Sequence, residues 1–339
     1  MEIALAVIVV VLALSFDFTN GFHDAANAIA TSVSTRALTP RAALILAAVL
    51  NFVGAMLGTT VANTIAHDIV HLDEATQTTG SGHLALVIIV AALIGAIVWN
   101  LITWWFGLPS SSTHALIGGL VGAGLVANIG VFWDHVVAKV VVPMIVSPLI
   151  GFFGAYIVMV GVLWLLRKAS PNKVNRRFRI AQTASAAALA LGHGLQDAQK
   201  TMGVMFMAAY TVGWSDPNHG IPLWIKVAAA AAISLGTAAG GGRIMRTLGR
   251  KIIQVDPARG FVAESVSALV LYVMAMGMHA PVSTTHTVTT AIMGVGATKR
   301  LSAVRWGMAK TILLAWVLTL PAAATVAGLF FLVLRPLLA

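Results

Sequence analysis

The sequence predicts an all-α, polytopic membrane protein made of two inverted-topology repeats. Three observations predict it: a composition too apolar for water, apolar stretches of bilayer-spanning length along the whole chain, and polar motifs that recur half a chain apart. Of 339 residues, 59% are hydrophobic and 9% are charged, against about 25% charged in a soluble globular chain. A soluble fold could not cover that much apolar surface. A bilayer core about 30 Å thick takes roughly 20 apolar residues per crossing helix, and such stretches leave no room for a second, soluble domain.

Ten membrane segments are expected, at residues 3 to 33, 41 to 66, 84 to 106, 110 to 128, 136 to 166, 180 to 212, 222 to 242, 260 to 279, 281 to 298 and 303 to 334. The first follows Glu2 and lacks the basic start and small-residue cleavage site of a signal peptide, so it reads as the first helix of the fold. The second, third and fifth are apolar runs bounded by polar loops. The fourth and ninth are short, rich in Gly, Ser and Thr, and each begins at a proline, Pro109 or Pro281. Both fit half-helices or re-entrant hairpins as well as full crossings. The sixth carries a polar motif. The seventh holds small-residue runs, Ala228 to Ala232 and Gly240 to Gly242, which permit close helix packing. The eighth carries Glu264 near its start, where the equivalent position of the first half is Ala92. Lys226 in the seventh and Lys310 in the tenth lie near helix ends and are expected to snorkel to the interface.

The net charge of +10 would suggest nucleic acid in a soluble protein, so the location of the basic residues decides its meaning. Sixteen of the 21 Lys and Arg residues fall in four connections: Arg36 and Arg41; Arg167, Lys168, Lys173, Arg176, Arg177 and Arg179; Arg243, Arg246, Arg250, Lys251 and Arg259; Lys299, Arg300 and Arg305. That is the positive-inside pattern of cytoplasmic loops facing an anionic lipid leaflet, and nucleic acid is not an expected partner. Alternation through ten crossings then puts both termini outside, together with His67 to Glu74 and Trp214 to His219, which contain no Lys or Arg. The expected location is the inner or plasma membrane, the cell membrane. With no cysteine, disulfides and thiolate metal sites are excluded.

Two motifs recur. Asn20 to Asn27 (NGFHDAAN) matches His193 to Lys200 (HGLQDAQK) at an offset of 173, and Pro109 to His114 (PSSSTH) matches Pro281 to His286 (PVSTTH) at an offset of 172. The chain therefore divides into 1–172 and 173–339, five segments each. An odd number per half makes the second enter from the opposite side. Inverted repeats with matching polar interruptions are the layout of secondary transporters, whose sites lie near the midplane at the repeat interface.

On a helix, Asn20, Asp24 and Asn27 share one face, and His193, Asp197 and Lys200 repeat that geometry. An Asp at the centre of a membrane helix costs about 2.5 to 3.5 kcal/mol on the insertion scale, so one in each half needs a partner or a function. Carboxylate and amide oxygens suit Na⁺, Mg²⁺ or Ca²⁺, and a buried carboxylate can instead carry a proton. Simple pairing, Asp197 with Lys200 and Asp24 with His23 or a neighbouring amide, is the plainer alternative. Asp17 lies one turn before Asn20, off its face by one step. Glu264 reads equally as an ion ligand, a proton carrier or a snorkelling residue. Ser110, Ser111, Ser112 and Thr113, with Ser283, Thr284 and Thr285, read as two helix starts whose free N–H groups, dipoles and hydroxyls cradle one oxyanion. Plain capping is the other reading of the same hydroxyls. His114 and His286 can contact substrate or pack.

At these residues the chain resembles the inorganic phosphate transporter family known as PiT, particularly its bacterial low-affinity branch. Asn20 to Asn27 is similar to the family's first signature and His193 to Lys200 to its second, while the two Pro and Ser/Thr motifs match its other repeated element. Many members carry Asn directly before the signature Asp, where His23 and Gln196 stand in this sequence. The resemblance implies phosphate symport with a cation: Na⁺ in some branches, and H⁺ in many bacterial ones, often with phosphate as a neutral complex of Mg²⁺ or another divalent cation. For this sequence the expectation is H⁺ ahead of Na⁺, with Gln196 and Glu264 joining Asn20, Asp24, Asn27, His193, Asp197 and Lys200 around the cation. The resemblance also implies a homodimer and alternating access, one part of each repeat moving against a scaffold. A carrier of sulfate or another oxyanion and a passive anion channel are the alternatives. No Walker sequence or nucleophile and base motif favours an enzyme.

Overall fold

The computed structural model describes residues 1 to 67, 69 to 70, 82 to 216, 219 to 240 and 242 to 338. Most of the expected outer loop from His67 to Glu74 lies outside the described residues, as do Pro217 and Asn218 of the second. The chain is helical throughout: α1 (Glu2–Ser34), α2 (Pro40–Met56), α3 (Thr60–His67), α4 (His83–Phe106) and α5 (Ser112–Val126) are followed by α6 (Trp133–Leu165) and α7 (Pro171–Thr211). Then come α8 (Leu223–Ala239), α9 (Gly242–Arg246), α10 (Pro257–Tyr272), α11 (Thr284–Ala297) and α12 (Trp306–Leu334).

Local chemistry sets many of the ends. The Thr39 hydroxyl accepts from Ala42 N ahead of Pro40, and Asp256 accepts from Arg259 N ahead of Pro257, so α2 and α10 both start on a capping side chain followed by proline. At the other end of α4, Gly107 takes φ +65°, a left-handed turn that glycine adopts without a Cβ clash.

By length and composition, five helical stretches among the described residues can cross a membrane, namely α1, α4, α6, α10 with its continuation to Gly277, and α12; the bent pair α8 and α9 would make a sixth. Four of the expected segments differ from this list for physical reasons. The stretch 41 to 66 is not one helix, because the chain breaks after Met56 and restarts at Thr60. The 41-residue α7 begins at Pro171, ahead of the expected 180, and at roughly 60 Å it is long enough to span, yet it carries Asp197 and Lys200 in its apolar part. Its first turns hold exposed Lys173, Arg176, Arg177 and Arg179. The short Ser/Thr segments form helices of 15 residues in α5 and 14 in α11, about 21 to 22 Å, less than a bilayer core.

Glycines bring helices distant in sequence together, α1 with α8 and α2 with α7. A Cβ on Gly21 of α1 would lie 2.3 Å from Ile233 O of α8, and one on Gly194 of α7 would lie 2.1 Å from Asn51 O of α2. The reciprocal contacts are as tight, 2.1 Å from Gly236 to Phe18 O and 2.0 Å from Gly54 to Leu191 O. Backbone against backbone leaves nothing flexible to yield, so Gly54→Val is expected to destabilise the fold by about 1 to 3 kcal/mol or more. Thermal unfolding of the detergent-solubilised variant would measure the loss, and an unchanged midpoint would contradict this packing.

A group of polar side chains lies within the otherwise apolar interior. Asp17, Asn20, Asp24, Asn27, His114, His193, Asp197, Lys200, Glu264 and His286 are all buried, whereas the outer faces of α6 and α12 expose Phe153, Ile157, Leu313, Leu314 and Val317. Exposed apolar side chains on these faces are what a lipid solvent calls for.

Candidate functional site

Helices α5 and α11 each start at a serine in extended conformation. Ser111 Oγ accepts from His114 N at 3.2 Å, and Ser283 Oγ accepts from His286 N at 3.2 Å. Both serines are therefore N-caps, and the N–H groups of residues 112, 113, 284 and 285 precede the first intrahelical bonds. The two starts face one another. Thr113 Oγ1 donates to Val282 O at 3.3 Å, and the rings of His114 and His286 lie 4.9 Å apart. His286 is stacked at 3.9 Å on Trp316, whose Nε1 donates to Pro109 O.

The signature aspartates meet at these starts. Asp24 Oδ1 lies 2.6 Å from His23 Nδ1 and accepts from Thr285 Oγ1 at 3.3 Å. Asn27 Nδ2 donates to the same Thr285 hydroxyl at 2.8 Å. Asp197 holds Lys200 Nζ at 3.0 Å, His193 Nε2 at 2.9 Å and Thr284 Oγ1 at 3.3 Å. Lys200 Nζ then donates to Ser112 Oγ at 2.8 Å and Thr113 Oγ1 at 3.2 Å. One carboxylate oxygen of Asp24, one of Asp197 and a nitrogen of His193 lie within 4.8 Å of one another. Two carboxylates and an imidazole at that spacing, ringed by hydroxyls, can hold a hard cation or share a proton.

Four expected residues stand apart from this centre or join it differently. Gln196 Nε2 donates to Leu271 O and Ala280 O at 3.4 Å each, so its amide is turned to the end of α10. Asn20 has no hydrogen-bond partner among the described residues and lies beside Asp17, which itself neighbours Thr201. Ser110 Oγ shares a 2.7 Å hydrogen bond with Thr103 and approaches His23 Nε2 at 3.4 Å. Glu264 forms a second buried group, accepting from Thr31 Oγ1 at 2.5 Å, Gln182 Nε2 at 3.0 Å and Ser185 Oγ at 2.5 Å. It is neither snorkelling nor near the aspartates: Thr31 is about two turns beyond Asp24 on α1.

Three contributors escaped the sequence, Thr103 and Asn51 outside the repeated motifs and Gln199 inside one. Thr103 of α4 bonds His23 Nε2 at 3.2 Å, and Asn51 of α2 bonds His193 Nδ1 at 3.2 Å. Gln199 of α7 accepts from Val61 N and Ala62 N at 2.8 and 3.2 Å, capping α3 from another helix.

A sequence profile described as "Phosphate transporter family" matches residues 20–327. A Bacillus subtilis protein described as "Probable low-affinity inorganic phosphate transporter" is 45% identical over 332 residues, 98% of this chain and 97% of its own. A Rhizobium meliloti protein of the same description is 45% identical over 327 residues, covering 95% of this chain and 94% of its own. The fold is similar to a solved structure titled "The sodium-dependent phosphate transporter", with a TM-score of 0.87 and 26% identity over 98% of this chain and 99% of that one.

Proposed function

The chain belongs to the phosphate transporter family, and from that premise we propose that it is a secondary transporter carrying inorganic phosphate across the cell membrane together with a cation. It is a multi-pass membrane protein of a family of transporters rather than enzymes. The observation that carries the reading is the meeting of Asp24 and Asp197 with the starts of α5 and α11 in one buried cluster. Each helix start presents a partial charge of roughly +0.5 and free N–H groups to an anion. Ser112 adds a hydroxyl donor, and Thr113, Thr284 and Thr285 add theirs when the anion draws them from Val282 O, Asp197 and Asp24, while Ser110, Ser111 and Ser283 hold the two turns in shape. The carboxylates offset the charge of the travelling cation.

The coupling cation is H⁺ ahead of Na⁺, with phosphate carried as its neutral complex with Mg²⁺ or another divalent ion. The hydrogen bonds around His193 support the proton. Thr237 Oγ1 donates to Ile233 O at 2.9 Å and accepts from Asn51 Nδ2 at 2.7 Å. Asn51 Oδ1 is then the acceptor for His193 Nδ1–H. The other nitrogen, Nε2, lies 2.9 Å from Asp197 Oδ2, close enough for a proton to be held between imidazole and carboxylate. His23 beside Asp24 forms a similar pair in the first half.

The two halves, 1–172 and 173–339, are inverted repeats that exchange access to this cluster between the two sides, with both termini outside. The reciprocal glycine contacts of α1 with α8 and α7 with α2 support that symmetry. Radiolabelled phosphate uptake into proteoliposomes tests the whole reading. Accumulation is expected under an inward H⁺ gradient and with Mg²⁺, less under Na⁺ alone. Uptake that never exceeds equilibrium under any gradient would leave a passive channel, and equal competition by sulfate would remove the phosphate preference.

A further inference from the structure

We propose that Lys200 is a tethered cation that takes the place of one coupling ion, so that this protein binds one fewer dissociable cation with each phosphate than two equivalent half-sites would. The inference rests on the reading above, that phosphate and its coupling cation bind at the cluster of Asp24 and Asp197.

The comparison is internal to the molecule. Asp24 corresponds to Asp197 and Asn27 to Lys200 at the offset of 173, and Thr113 corresponds to Thr285 at 172. In the first half the Asn27 amide donates to Thr285 Oγ1 at 2.8 Å. In the second, Lys200 Nζ occupies the same station, donating to Thr113 Oγ1 at 3.2 Å and also to Ser112 Oγ at 2.8 Å. Equivalent positions thus reach equivalent hydroxyls with different chemistry. An amide has an oxygen to offer a cation, and Asn27 Oδ1 is buried without a hydrogen-bond partner among the described residues. An ammonium has three donors, no acceptor, and carries the positive charge itself.

Lys200 also consumes the ligands that a free cation would need. Asp197 Oδ1 is taken by its ammonium at 3.0 Å, while Asp197 Oδ2 faces His193 and Thr284. The lysine is 1% exposed, and a buried ammonium persists in such a site only when paired and fully hydrogen-bonded. Here one carboxylate and two hydroxyls fill its three donors. Charge counting gives the consequence. Leaving aside His23 and His193, which stand beside the carboxylates in either case, Asp24 and Asp197 with Lys200 sum to one negative charge, where an amide at 200 would leave two, before the phosphate adds its own. Asp17 is the further acidic group near Lys200. Each fixed positive charge removes the need for one mobile cation.

Lys200→Asn restores the amide of the first half, and Lys200→Gln does so with a longer side chain. Purified protein would be titrated with inorganic phosphate by calorimetry at a series of Na⁺ concentrations at fixed pH, and of H⁺ concentrations at fixed Na⁺. The slope of log affinity against log cation concentration counts the ions taken up with phosphate. It is expected to rise by one in either amide variant and to stay at the parental value in Lys200→Arg. In proteoliposomes under a tenfold cation gradient, the limiting phosphate accumulation of an active amide variant should rise about tenfold. An unchanged slope in folded amide variants would overturn the inference, as would folded variants that bind no phosphate at any cation concentration. A parental protein whose phosphate binding ignores both cations would instead overturn the reading on which this one rests.

Discussion

Asp197→Asn is expected to abolish cation-coupled phosphate uptake. The carboxylate holds Lys200, His193 and Thr284 at once, and an amide in its place offers one oxygen and turns two N–H donors toward donors. Removing one partner of a buried ion pair costs about 3 to 5 kcal/mol, which corresponds to a loss of roughly a hundredfold or more. Part of that loss is stability, so Asp24→Asn is the cleaner companion. Asp24 touches His23 and Thr285 and has no lysine to strand, so uptake should fall as far while the unfolding midpoint moves less. Uptake in proteoliposomes and thermal unfolding in detergent together separate the two effects. Parental coupled uptake in Asp24→Asn would remove the carboxylate from the cation site.

Ser111→Ala combined with Ser283→Ala is expected to raise the half-saturation concentration for phosphate about tenfold or more, with a smaller change in maximal rate. Each serine accepts the N–H of the histidine three residues on, and losing such a cap costs about 1 kcal/mol per helix. Two frayed starts would no longer aim their N–H groups at one point. Kinetics of phosphate uptake across a concentration series would measure the shift; an unchanged half-saturation concentration would mean that the helix starts do not face the substrate. Either single variant should give roughly half the effect in free energy, because the two caps lie on different helices.

Much of the site was legible because it is written twice. Asp24 and Asp197 were found as a repeated pair, and the hydroxyl turns as another, with no knowledge of what they touch. The pairing alternative and the functional one turned out to describe the same atoms: Asp197 does pair with Lys200, and that pair lies inside the cluster. Capping and cradling are likewise compatible, since Ser111 and Ser283 cap while the residues after them keep free N–H groups. What the repeats could not report is asymmetry. Glu264 has no acidic twin, and its partners Thr31, Gln182 and Ser185 come from two other helices.

The sequence by itself determined the membrane class, the places of the polar interruptions, and the face of each helix that carries them. These follow from composition and from a helical period of 3.6 residues, which are local properties of the chain. Tertiary structure alone decided which faces meet. It sent the Lys200 side chain from α7 to the hydroxyls of α5, turned Gln196 toward the backbone of α10, and broke the second apolar segment where Gln199 caps Val61 and Ala62. The break falls at Gly58 and Thr59, but the residue that holds it lies 138 positions away. Periodicity fixes the direction in which a side chain leaves its helix, and only packing fixes what lies in that direction.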